Sequence, residues 1–130
     1  MRRPELCVGA VLVHDGGILL VRRARDPGAG EWSVPGGRVE AGEALAEAVL
    51  RELWEETGVV GVCGPLLDWV EVIDDDHHFV IFDFTVSPVG VVEPAPGDDA
   101  AEAALVPLHE VGSLQLVGGL AELLHEHGVL

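Results

Sequence analysis

The stretch from Gly37 to Val59 reads G-R-V-E-A-G-E-A-L-A-E-A-V-L-R-E-L-W-E-E-T-G-V, a glycine-rich loop running into an amphipathic helix. The helix is expected from about Ala44 to Thr57, with Gly58 as its stop. Residues three and four apart share a helix face, so Glu52, Glu55 and Glu56 project from one side within a turn of each other. Two unit charges ~5 Å apart cost about 3 kcal/mol at an effective dielectric near 20, so such a cluster repels itself. A cation turns that cost into a site, and hard divalent ions such as magnesium favour clustered oxygen ligands. On a helical wheel Ala46, Val49, Leu50, Leu53 and Thr57 fall on one arc, with Arg51, Glu52, Glu55 and Glu56 opposite. An ordinary solvated helix could show that division too, so the spacing to neighbouring residues has to decide.

Pro35-Gly36-Gly37 lies just upstream, and Glu43 follows Gly37 by six positions. With these residues the chain resembles the Nudix hydrolase family, whose signature is G-x5-E-x7-R-E-U-x-E-E-x-G-U with U a bulky aliphatic residue. Gly37, Glu43, Arg51, Glu52, Leu53, Glu55, Glu56, Gly58 and Val59 fill every specified position. Leu19 to Arg23 and Gly30 to Gly37 are similar to the segments that precede this box in the family.

The resemblance implies an α/β chain with the Nudix fold, a mixed β-sheet in an α/β/α sandwich, as one domain over residues 1–130. It implies metal-dependent hydrolysis of the diphosphate of a nucleoside diphosphate derivative. The substrate would be a nucleotide sugar such as ADP-ribose, or a canonical or damaged nucleoside triphosphate. Magnesium is the expected cofactor, with manganese able to replace it. Carried over residue by residue, Glu55 and Glu56 are the main metal ligands and the Gly37 carbonyl a further one. Glu52 is either ligand or general base. Arg51 orients a box carboxylate through a bidentate pair, and Glu43 holds the loop to the helix start. Dimers are frequent in the family, so a homodimer is among the expected assemblies. A Nudix-fold module that senses nucleotide without turnover is the competing reading, although such modules typically lose box carboxylates that are all present here.

Charge narrows the partners. Seven basic against 23 acidic side chains leave −16, which argues against a nucleic-acid polymer, since phosphate backbones are held by clustered Lys and Arg. No lysine is present, so each arginine near the box gains interest for an anionic substrate. Arg22 and Arg23 close the second strand, where family members contact phosphate or nucleotide. In the late segment Gly97 to Ala103, Glu102 is the first choice for one more acid to the metals or water, Asp99 the second, with Asp98 beside them. Leu105 stands where relatives with this segment carry tryptophan.

The remaining pattern is mixed α/β. Strands are expected at Leu6 to Val13, Ile18 to Arg22 (its hairpin partner across His14 to Gly17), Trp32 to Val34, Val59 to Cys63, Leu66 to Ile73, Phe79 to Val86 and Ala103 to Val106. Leu116 to His127 reads as a final helix, and residues 91 to 100 as a loop. Asp74 to His78 reads as an exposed turn, and its adjacent histidines point to opposite strand faces. Trp32, Trp54 and Trp69 read as packing residues, with base stacking a second reading for Trp69 in its strand beside the box. Two cysteines make no disulfide framework, and Cys7 and Cys63 read as buried thiols of a cytoplasmic protein. Met1-Arg2-Arg3 and the run after it imitate a signal peptide only faintly, and no apolar stretch is long enough to span a membrane.

Overall fold

The computed structural model describes residues 3–26, 28–97 and 99–130; Met1, Arg2, Pro27 and Asp98 lie outside the described residues. The elements follow as β1 (Glu5–Val11), β2 (Val13–His14), β3 (Gly17–Arg23), β4 (Trp32–Ser33), β5 (Gly36–Arg38), α1 (Leu45–Thr57), β6 (Gly61–Ile73), β7 (His78–Pro88), β8 (Ala100–Pro107), a 3-10 turn (Leu108–Ser113) and α2 (Leu120–Glu126).

Two four-stranded sheets form rather than one. The first is mixed, in the order β5-β1-β7-β6, with β1 parallel to β7 and antiparallel to β5. The second is antiparallel: β3 pairs with β2, β4 and β8. The expected first strand therefore splits at the fully buried Leu12, where the chain passes from one sheet to the other. β3 is a hairpin partner of β2 alone, across Asp15 (φ 49°) and Gly16 (φ 76°), two positive-φ residues suited to the twist of a tight hairpin.

The period-two alternation of the strands separates two cores. Val8, Ala10, Leu12 and Leu19 pack with Ala48, Val49 and Leu53 of α1. Val11, Ile18 and Leu20 face the other way, onto Leu120, Leu123 and Leu124 of α2. The helices thus cover opposite sides of the sheets, which is the α/β/α arrangement.

Three sequence readings are corrected. β6 is one strand, kept continuous across Gly64-Pro65 by register shifts between Cys63 and Leu66 and between Leu66 and Asp68. Proline is tolerated there because β6 lies at the sheet's edge. α2 begins at Leu120, because Gly119 takes φ 87°, outside helical space, while Leu116 bridges to Trp32. The inward arc of α1 is also rotated. Ala46 is exposed and Ala48 buried, so Glu52 and Glu56, four and eight residues after Ala48, lie toward the sheet instead of opposite it.

Candidate active site

The rotation of α1 explains how the carboxylates are held. Its N-terminus lacks a capping side chain at Ala44, and Glu47 Oε1 accepts the Ala44 N–H at 2.9 Å instead. Gly58 (φ 71°) closes the other end, donating to the Trp54 carbonyl. Between these ends Glu52 comes against β5. A side chain at Gly37 would bring its first carbon to 2.5 Å from the Glu52 carboxyl carbon, so glycine is required there for the approach. Glu56 reaches one residue back along β5, where its Oε1 accepts the Gly36 N–H at 3.2 Å.

Arg51 organises the cluster. Its Nε and Nη2 hold Glu43 in a bidentate pair at 2.6 and 2.9 Å. Nη1 donates to Glu52 at 2.8 Å and Glu55 at 3.1 Å, and Nη2 also reaches the Arg38 carbonyl at 3.0 Å. Glu43 further accepts the Glu40 N–H at 3.1 Å, tying the loop to the helix. The Arg51 hydrogen bonds pull the Glu43 carboxyl down to about 2, and the Glu43 partner raises the guanidinium in turn.

Charge inside the cluster is unevenly carried. Burial raises Glu52 above the ordinary carboxylate range, against the opposing pull of Arg51. Burial also pushes Glu56 up to about 7; the Gly36 N–H and the charge of Arg23 oppose this, while Glu52 and Asp99 add to it. These crowded oxygen donors fit a hard divalent cation: Glu52, Glu55, Glu56 and the Gly37 carbonyl present the chemistry such an ion takes, and its charge would favour the ionised forms.

The carboxylates open onto a cleft of about 400 Å³ lined by Glu52, Trp54, Glu55, Glu56, Gly97 and Asp99. Gly97 donates to the Glu56 carbonyl at 2.9 Å and Ala95 to that of Thr57 at 2.9 Å, so the segment before β8 caps the C-terminal carbonyls of α1. A side chain at Gly97 would meet the Glu55 carbonyl oxygen. This docking brings Asp99 to the cleft wall.

The residues expected outside the box divide. Asp99 lines the cleft, whereas Glu102 faces Arg22 across β3 and β8 and binds it at 2.7 Å. Arg22 occupies Glu102, and neither of that pair is among the residues lining the cleft. Arg23 acts on Glu56 by its charge. Arg25, unremarked in the sequence, approaches Asp99 at 3.7 Å. Asp74 accepts the Asp76 and His77 N–H groups in an exposed turn, and His78 pairs with Glu71 at 3.0 Å. Two tryptophan readings fail: Trp54 is 60% and Trp69 52% exposed, while Trp32 packs against the α2 core.

A family model described as NUDIX domain matches residues 3–126, and the chain belongs to the Nudix hydrolase family. Among curated relatives it is 36% identical over 113 residues to the ADP-ribose pyrophosphatase of Methanocaldococcus jannaschii, covering 85% of this chain and 66% of that protein. It spans less than half of further relatives, among them RNA pyrophosphohydrolases. The MutT NUDIX hydrolase of Burkholderia pseudomallei superposes with a TM-score of 0.85 at 32% identity, over 95% of this chain and 98% of that one. The NUDIX domain of Shewanella oneidensis NrtR, solved with ADP ribose, gives 0.84 at 27% identity, over 99% and 88%. No helix among the described residues is long and apolar enough to cross a membrane.

Proposed function

We propose that the chain hydrolyses the diphosphate linkage of a nucleoside diphosphate derivative, with ADP-ribose the first substrate to test, in a divalent-cation-dependent reaction. The observation that carries this reading is that Glu52, Glu55 and Glu56 line one cleft, with Gly37 packed against the Glu52 carboxylate and Arg51 holding Glu52 and Glu55. ADP-ribose is favoured because the Methanocaldococcus relative is named for it and the NrtR domain was solved with it.

Glu55, Glu56 and the Gly37 carbonyl would hold the cation, Asp99 standing nearby. When bound, magnesium or manganese neutralises diphosphate oxygens and polarises phosphorus. Arg51 fixes Glu52 by one oxygen, Oε1, and no donor among the described residues reaches the other. That free oxygen suits Glu52 to accept the proton of the attacking water. Attack breaks one P–O bond of the anhydride, so two phosphorylated products leave. Arg23 contributes positive charge beside Glu56.

The test is a panel of nucleoside diphosphate derivatives and triphosphates with magnesium, with product analysis to show which phosphorus is attacked. Glu56→Gln should fold and melt at or above the parental temperature, since burial already disfavours the Glu56 charge, and lose roughly a hundredfold or more in turnover. Near-parental hydrolysis by that variant would sink the metal assignment. Absence of product from every compound would favour the nucleotide-sensing module, which the NrtR domain's complex with ADP ribose keeps in view.

A further inference from the structure

Trp54 is unexplained by packing. It follows Leu53, which is fully buried, yet turns away from the core and leaves 60% of its surface exposed. A single exposed apolar side chain needs no explanation by itself. Its position is the informative point. The cleft at the carboxylates is lined by four acids, a glycine and this one indole, the only aromatic group among the described lining residues. Cation and carboxylates deal with the anionic part of a substrate, to which an indole can add at most one N–H hydrogen bond. It offers a broad rigid face to a flat, uncharged ring, with little side-chain entropy to lose.

We infer that Trp54 is a binding residue for the substrate's nucleobase, stacking the ring at the mouth of the cleft while the diphosphate lies along Glu52, Glu55 and Glu56. The inference rests on the proposed function, since only a base-bearing substrate gives the indole a partner. Stacking is tolerant of sequence because every base has a π-face, so Trp54 would add affinity for nucleotides in general without choosing among them. Trp54 would act in binding, with no part in the bond-breaking step.

The test is calorimetric binding of ADP, GDP, CDP and UDP, and separately of inorganic pyrophosphate, all with magnesium. Trp54→Ala should weaken the nucleoside diphosphates about tenfold and leave pyrophosphate within about twofold. Trp54→Phe should restore most of the lost affinity, and quenching of tryptophan fluorescence by ADP should disappear in it. The side chain is exposed, so both variants should fold. Equal weakening of pyrophosphate, or unaltered nucleotide affinity in Trp54→Ala, would overturn the inference, as would a parent that binds none of the four nucleotides. Base-dependent binding by the parent without turnover on any substrate would instead remove the hydrolytic reading and leave Trp54 standing.

Discussion

Asp83 carries an electrostatic cost that a neutral side chain would avoid. It is 6% exposed, and its carboxyl lies over Gly9 of the neighbouring strand, where a side-chain carbon would collide with it. No donor among the described residues is hydrogen-bonded to it, and Asp68 stands opposite on β6. Burial, with the Asp68 charge behind it, pushes the Asp83 carboxyl up from 3.8 to about 6. Because the folded value exceeds the unfolded one, the folded state binds the extra proton. Stability from this group is therefore complete below about pH 4 and lost as pH rises through about 6. Each pH unit between those two values removes about 1.4 kcal/mol. Asp83→Asn should accordingly melt higher than the parent at pH 8, by an amount equivalent to about 2–3 kcal/mol, and the gap should shrink toward pH 4.5. Thermal melts across that range check it; a gap independent of pH would show that Asp83 ionises in the fold at its ordinary value. The contrast with the box is instructive. Glu52, Glu55 and Glu56 are legible from spacing along one helix, whereas Asp83 sits in an apolar run whose inward register becomes known only when Gly9 and Asp68 are paired with it.

At the scale of elements, α1 holds the site only in company with β5 and the segment ahead of β8. Its existence and ends are readable from apolar periodicity and Gly58, but its orientation is not. The inward arc that takes in Ala48, Glu52 and Glu56 depends on glycine at Gly37 letting the Glu52 carboxylate against β5, while Gly36 is needed for the approach of the β1 backbone at Val8. The same applies to the late segment. Its prolines, glycine and aspartates read as a loop, but nothing local announces that Gly97 docks on the last turn of α1. Gly97→Ala tests how much that docking matters, because the methyl would meet the Glu55 carbonyl and Asp99 would move with the segment. Loss of the Gly97 and Ala95 hydrogen bonds to α1 should cost about 1–3 kcal/mol. Hydrolysis should fall by roughly tenfold or more as the cleft wall shifts. Amide exchange and steady-state kinetics check both effects; faster exchange at Ala95 and Gly97 with undiminished hydrolysis would separate the segment from the site.

At the scale of the whole molecule, the proposed chemistry works against the chain's own field. The net charge is −16, and the described arginines are largely committed: Arg22 to Glu102, Arg25 to Asp99, Arg38 to Glu5, and Arg51 to Glu43, Glu52 and Glu55. An anionic diphosphate therefore approaches a surface that repels it, and under the proposed chemistry a bound cation, with Arg23 beside Glu56, would supply the attraction at close range. Electrostatic steering has the opposite sign here from an enzyme with a basic cleft. Monovalent salt screens charges beyond about 10 Å at 0.1 M while affecting partly buried contacts much less. Raising sodium chloride from tens of millimolar to about 0.2 M, with magnesium kept saturating, should raise kcat/KM by a few-fold and leave kcat nearly constant. The rise should be larger for a triphosphate than for ADP-ribose, because the repulsion grows with substrate charge. A fall in kcat/KM with salt would mean that the cation and Arg23 dominate the field at the cleft, and that encounter is governed locally and not by the −16 of the whole chain.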